Sequence, residues 1–257
     1  MTDVTIPDGV TNIGQNAFAY CTSLTGVTIP DSVVSIGDGA FAECGSLDNV
    51  KISDGVTTIA DSAFMGCGLT NLVIPNSVTN IQGFAFFGCP LTSLTISSHV
   101  TSIGQEAFFS CTNLTSIMFP GSVTGIGQRA FASCIGLTSA YFLGNAPSAD
   151  VTVFNGAPAT VYYLPGTTGW GSTFGGAPTR AWFLPYPTVL GFGLLAHRVS
   201  FTISWATNTS VVVQTCTNLA NPNWVPVVTN NLINGTRPFL DTQLANDPGR
   251  FYRISTP

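Results

Sequence analysis

Residues 10–30 read VTNIGQNAFAYCTSLTGVTIP, and residues 33–53 read VVSIGDGAFAECGSLDNVKIS, so the second stretch repeats the first at every apolar position. The register then continues. Cysteines stand at Cys21, Cys44, Cys67, Cys89, Cys111 and Cys134, with spacings of 23, 23, 22, 22 and 23 residues. The columns Val10 to Val123, Ile13 to Ile126 and Phe18 to Phe131 keep the same spacings, six residues each. Cys67 and Cys89 are followed by Leu69 and Leu91 after one residue, where the other units have two. A deletion confined to one point marks a surface turn and not a buried element. The unit is V-x-x-I-x-x-x-A-F-x-x-C-x-x-L-x-x-V-x-I-P. Its L-x-x-V-x-I part alternates as a short strand with alternate residues inward. Its A-F-x-x-C part spaces apolar residues three apart, as a single helical turn does. One such unit cannot cover its own apolar face, and a stack of them forms a continuous core.

This unit resembles the BspA-like (treponemal type) leucine-rich repeat over Thr2 to about Leu143. The resemblance implies a right-handed solenoid with one strand per turn on a concave sheet. It also implies a secreted or surface protein that binds other proteins or host and matrix components, and it brings no catalytic residues with it. The expected fold is thus a repeat solenoid, mainly β with short helices, over residues 1–143. A degenerate capping repeat over 144–184, a linker over 185–198 and a small antiparallel β-sandwich over 199–257 follow.

The last part is read from its own pattern. Val199 to Trp205 alternates apolar and polar, and further strand candidates lie at 211–214, 224–228, 238–240 and 251–254. Turn signals such as Asn221-Pro222-Asn223 and Asp247-Pro248-Gly249 separate them, which argues a sandwich. The pieces around Thr217, Trp224 and Phe251-Tyr252-Arg253 look like a C-terminal module of large surface proteins of environmental bacteria.

Composition narrows the function. Only 7% of the 257 residues are charged against a usual ~25%, and 45% are apolar, which excludes a disordered chain or a coiled coil. Lys51 is the single lysine beside six arginines, and the net charge is −5, so no basic patch exists to neutralise phosphate or anionic lipid. No apolar run approaches the ~20 residues that span a bilayer. Charge is uneven: residues 1–143 hold nine acids and two bases, and eight of those acids fall between Asp3 and Asp61.

No catalytic constellation is legible. His99 and His197 are the only histidines, and neither has a nucleophile and an orienting third group in register with it. Asp8, Asp31 and Asp54 follow successive strands and read as solvated turn residues, without the spacing of a calcium loop. The cysteine column at one-rung spacing permits disulfides or a metal ladder. The plainer reading is a column of buried free thiols beside the phenylalanines, since no C-x-x-C pair or histidine accompanies it. No cofactor or metal is expected.

Binding residues are sought on the concave strand face. Its outward row is Thr28, Lys51, Val73, Thr95, Met118 and Tyr141, and one column over stand Thr25, Asp48, Thr70, Thr92, Thr115 and Thr138. A field of hydroxyls suits wet contact with a protein, a glycan or ice, and Met118 and Tyr141 supply an apolar anchor. The plainer reading is that threonine fills exposed strand positions. The rings of Tyr162, Tyr163, Trp170, Trp182 and Tyr186 either stack on sugars or fill a domain junction. Two functions follow. One is adhesion through the concave face, outside the cell or at its surface, although no signal peptide follows Met1. The other is self-assembly into fibres or sheets through the first rung, whose edge strand carries Val4 and Ile6.

Overall fold

The computed structural model describes residues 2–182, 188–195, 198–204, 209–218, 222–232, 236–241 and 250–255. Pro185-Tyr186-Pro187, His197 and Trp205 lie outside them. Two compact units are present: 1–163 with 167–180, and 164–166 with 181–257.

The first unit makes seven turns, and each carries two short strands. The strands are β1 Asp3–Thr5, β2 Asn12–Ile13, β3 Gly26–Thr28, β4 Ser35–Ile36, β5 Asn49–Lys51, β6 Thr58–Ile59, β7 Asn71–Val73, β8 Asn80–Ile81, β9 Ser93–Thr95, β10 Ser102–Ile103, β11 Ser116–Phe119, β12 Gly125–Ile126, β13 Ser139–Phe142, β14 Ser148–Ala149 and β15 Thr160–Tyr163. Odd-numbered strands stack in parallel on one side, as β1–β3–β5, β7–β9 and β11–β13–β15, and even-numbered strands on another, as β2–β4 and β6–β8–β10–β12–β14. Register is unit upon unit: Val4, Val27 and Val50 pair in sequence, as do Ile59, Ile81, Ile103 and Ile126. The second strand of each turn, built on V-x-x-I, adds to the one that the resemblance implies.

The A-F-x-x-C segment is not a helical turn, and no helix occurs among the described residues. Ala17 N–H donates to Gly14 O and Cys21 N–H to Phe18 O, each three residues back. Between them, Phe18 and Tyr20 N–H donate at 2.7 Å to Ala40 and Ala42 of the next turn. A helix would direct its N–H groups to carbonyls four residues back within the same segment. Here alternate groups reach the neighbour because Asn16 (φ 54°) and Tyr20 (φ 61°) are left-handed, as are their equivalents in later turns.

Inside, Phe18, Phe41, Phe64, Phe86, Phe108 and Phe131 stack with centroids 5.1–5.5 Å apart, and Phe154 continues the column. The cysteines beside them are free; Cys21 is half-buried and the rest are buried. Each buried thiol of the column donates to a phenylalanine carbonyl of the preceding turn: Cys44 to Phe18, Cys67 to Phe41, Cys89 to Phe64, Cys111 to Phe86 and Cys134 to Phe108, at 3.0–3.5 Å. The position needs a residue that is small, largely apolar and able to donate, and cysteine is all three. Burial pushes the Cys89 thiol up to about 12. Contact with Cys44 and then burial raise Cys67, and contact with Cys134 and then burial raise Cys111. Cys67, Cys89 and Cys111 are thereby held as neutral thiols at neutral pH.

The stack ends in a hairpin of β16 Thr173–Phe174 and β17 Ala177–Ala181, with β17 next to β15. Phe154 N–H finds its acceptor in Gly175 O, as if a further turn followed. Gly176 has φ 87°, and a Cβ there would collide with the Val151 carbonyl oxygen. Trp170 packs on Phe142, Tyr163 and Phe174 at 5.0–5.2 Å and donates its indole N–H to Thr167 Oγ1. That ring therefore fills the cap.

The second unit is two three-stranded antiparallel sheets sharing a core of Phe201, Ile203, Val211, Val213, Leu232 and Phe239. Its strands are β18 Thr188–Leu195, β19 Arg198–Ser204, β20 Thr209–Cys216, β21 Val225–Leu232, β22 Thr236–Leu240 and β23 Phe251–Ser255. Strand β18 lies where 185–198 was expected to be linker. Gly191 (φ 60°) and Gly193 accommodate a register shift between Leu190 and Gly193 against β19.

Candidate functional site

The three-residue ladder turns Val27, Val50, Leu72, Leu94, Ile117 and Ala140 into the core, which leaves the residues between them on the open face. Thr28, Lys51, Val73, Thr95 and Met118 are exposed there. Met118 pairs in register with Tyr141, and Tyr141 with Tyr162, whose rings stack at 5.0 Å. Val73 is 66% exposed and Met118 47%, and the two tyrosines are half-buried. Tyr162 thus extends the row by one strand. Its place was readable from the T-V-Y-Y strand, once that strand is set in register with S-A-Y-F.

The threonine column behaves differently from a field of free hydroxyls. Thr25 Oγ1 donates to Thr2 O, Thr92 to Thr70 O and Thr138 to Thr115 O, at 3.0–3.2 Å. These protons are committed to the turn below, and lone pairs remain to face a partner. The same device runs along the other ladder, where Thr79, Thr101, Thr124 and Ser148 each donate to the residue one turn earlier. Nothing in the composition distinguishes such stitching from surface polarity; the sign is that threonine or serine recurs at one fixed position.

A trough of about 590 Å³ lies across β5, β7 and β9, lined among others by Asn49, Lys51, Val73, Asn76, Thr95 and Ser97. Lys51 forms no ion pair among the described residues. At the first turn, Val4 is half-buried and Ile6 is 8% exposed, and both pack on the core. A hollow of about 240 Å³ opens there over Val4, Ile6, Val10, Ile13, Ala17 and Phe18. His99 and the acids Asp8, Asp31 and Asp54 are exposed. Among the described residues, no three His, Cys, Asp or Glu side chains come together to hold a metal ion. No helix of the described residues is long and apolar enough to cross a membrane.

A parallel two-ladder stack of 22–23-residue units around leucine, phenylalanine and cysteine columns is a leucine-rich-repeat solenoid. The BspA type Leucine rich repeat region matches in six copies over residues 1–61 and 34–160, and the chain belongs to that family. The chain is similar in structure to a leucine-rich repeat protein from Bacteroides ovatus, with 28% identity, a TM-score of 0.53, and coverage of 62% of this chain and 48% of that one. It is also similar to a leucine rich cell surface protein from Faecalibacterium prausnitzii, with 24% identity, a TM-score of 0.44, and coverage of 63% and 60%. A third similar structure is the leucine rich repeat protein of T. pallidum, with 28% identity, a TM-score of 0.41, and coverage of 63% and 72%. The chain spans about half the length of the first of these proteins and three-fifths of the second. No curated protein matches the chain.

Proposed function

We propose that this protein is a non-enzymatic binding protein of the cell surface or extracellular space, which holds a partner protein on the open face of its three-residue ladder. The observation that carries this reading is the apolar row of Val73, Met118, Tyr141 and Tyr162 on the open face, its first two members exposed and its tyrosines half-buried. Aromatic and methionine side chains are enriched at protein interfaces, and tyrosine is among the residues that carry most of their energy. A protein suits the face better than a glycan. Tyr141 and Tyr162 stack on each other and the cross-strand threonine protons are already used, so ring faces and donors for a sugar are both reduced. The test probes arrays of extracellular proteins and of glycans with the intact chain and with a Met118→Ala, Tyr141→Ala double variant. A protein ligand whose affinity falls about 10- to 100-fold in the variant is expected. A ligand that binds both forms equally, or a glycan as the sole hit, would overturn the reading.

A second reading is self-association through the first turn. Val4, Val10, Phe18 and Cys21 are only partly buried there, over the apolar hollow. Copies joining through first turns alone meet like end to like end as a dimer, and a fibre or sheet needs a second surface besides. Light scattering coupled to size exclusion separates the readings. A species at twice 26.8 kDa that a Val4→Asp change returns to monomer supports association; a monomer at high micromolar concentration excludes it.

A further inference from the structure

The three-residue ladder is not continuous. It falls into β1–β3–β5, β7–β9 and β11–β13–β15. Both breaks coincide with a change in unit length. The corner before β7 is Cys67-Gly68-Leu69 and that before β9 is Cys89-Pro90-Leu91, each one residue shorter than the corners before β5 and β11. From β3 to β13, strands that follow corners of equal length pair and strands that follow corners of unequal length do not; β15, which follows the short corner Ala157-Pro158-Ala159, pairs with β13 all the same.

Flanking hydrogen bonds are lost at the same places. Asp48 N–H donates to Thr25 O, Thr92 to Thr70 and Thr138 to Thr115, but Thr70 and Thr115 N–H make no such bond across the breaks, where Gly68 N–H to Cys44 O and Asn113 Nδ2 to Pro90 O, each at 3.4 Å, remain at the corners. Ile29 N–H donates to Lys51 O and Ile74 to Thr95, whereas Ile52 and Ile96 have no counterpart. Ser97 Oγ, buried in the lining of the trough over the first break, also has no hydrogen-bond partner. The rest of the cross-section holds. The even-numbered ladder runs without interruption from β6 to β14, its one gap being between β4 and β6, and Phe64, Phe86 and Phe108 stack through both junctions.

A stack joined along one side and through its core, whose other side loses its strand ladder and keeps only corner hydrogen bonds where the corner length changes, has the geometry of a flexure; at the β4/β6 gap the units are of equal length. We propose that the two breaks are hinges, that the solenoid moves as three blocks bounded by β5/β7 and β9/β11, and that the trough widens and narrows with the first hinge. The deletions at residues 68 and 90 thereby set the mobility of the open face, whichever partner that face takes.

Residual dipolar couplings on the intact chain test this directly. Hinged blocks require separate alignment tensors for the turns before β7, those carrying β7 to β9, and those from β11 onward. A single tensor fitting residues 2–163 overturns the proposal, whatever the amides do. Hydrogen exchange gives an independent reading: amides of Ile52, Thr70, Ile96 and Thr115 should exchange about 100-fold or more faster than those of Ile29, Ile74, Thr92 and Thr138. Equal protection also overturns it. Inserting a serine between Gly68 and Leu69 and another between Pro90 and Leu91 should restore one ladder, one tensor and protection at all four amides. If that variant fails to fold, the couplings and exchange of the unmodified chain decide alone.

Discussion

Replacing Phe86 with alanine is expected to lower the stability of the repeat unit by about 3–5 kcal/mol, the range for a fully buried phenylalanine. The ring has no exposed surface and sits between Phe64 and Phe108 at 5.5 and 5.3 Å. Its removal opens a void in the middle of a stack whose turns contact only their neighbours. Repeat stability is close to a sum of unit and interface contributions, so one substitution weakens two interfaces together. Phe18→Ala is the informative comparison, because Phe18 is only partly buried and stacks on Phe41 alone. It should cost about half as much or less, since both the burial and the stacking partners are fewer. Urea melts followed by far-ultraviolet circular dichroism give both values. Equal losses at the two positions would mean that the phenylalanine column is not a shared core but a set of independent side chains.

The phenylalanine and cysteine columns illustrate what a sequence can display. A repeat multiplies every inward position by the number of turns, so Val, Ile, Phe, Cys and Leu declare their faces without any structure. The strand alternation at Leu24-x-x-Val27-x-Ile29 was equally plain, and the odd-numbered strands β1 to β13 lie on it, whereas the even-numbered strands on V-x-x-I were not read. Apolar spacing could not reveal how the backbone bonds. Three-residue spacing at Phe18 and Cys21 matches a helical turn and also a pair of tight turns with left-handed corners. The choice depends on whether alternate N–H groups find acceptors in the next turn, a property of stacking and not of one unit. The carbonyl-directed thiols belong to the same class, because Cys44 is chosen by Phe18 O, 26 residues earlier. The one-residue deletions were visible in the sequence and correctly marked a turn. Their consequence for the ladder is a matter of relative offset between neighbours, so it appears only when the turns are set one upon another. For the open face, the outward row was readable as far as Tyr141, and Tyr162 was obscured by the decay of the repeat after Phe142. In the second unit, the linker signal of Pro185-Tyr186-Pro187 was extended over 185–198 and hid β18, whose pairing with β19 shifts register at Gly191 to Gly193.

Replacing Asp241 with alanine is expected to destabilise the C-terminal unit by about 3–5 kcal/mol, as for a buried ion pair deprived of one member. The carboxylate is fully buried at the end of β22, where Asp241 N–H donates to Val199 O and ties it to β19. Its Oδ2 accepts from Arg250 Nη1 at 3.2 Å and from the Tyr252 hydroxyl at 2.6 Å, joining β22 to β23. The Arg250 side chain is itself mostly buried, so loss of the carboxylate removes from a desolvated guanidinium and a phenol their shared acceptor. Asp241→Asn keeps an oxygen for Tyr252 but loses the charge, and should fall between the parent and the alanine variant. Amide exchange in β20 and β22 measures both. A loss under about 1 kcal/mol for the alanine variant, the size of an exposed pair, would show that the unit does not depend on this contact. The same cluster predicts a pH response. Burial, and then the hydrogen bond to Asp241, raise the Tyr252 phenol above the usual tyrosine value. A raised pKa in the folded state means that the phenol's contribution is complete below the unfolded value of about 10 and is lost as pH climbs beyond it. Tyr252→Phe should therefore flatten the alkaline limb of stability against pH, while leaving the ion pair with Arg250 in place at neutral pH.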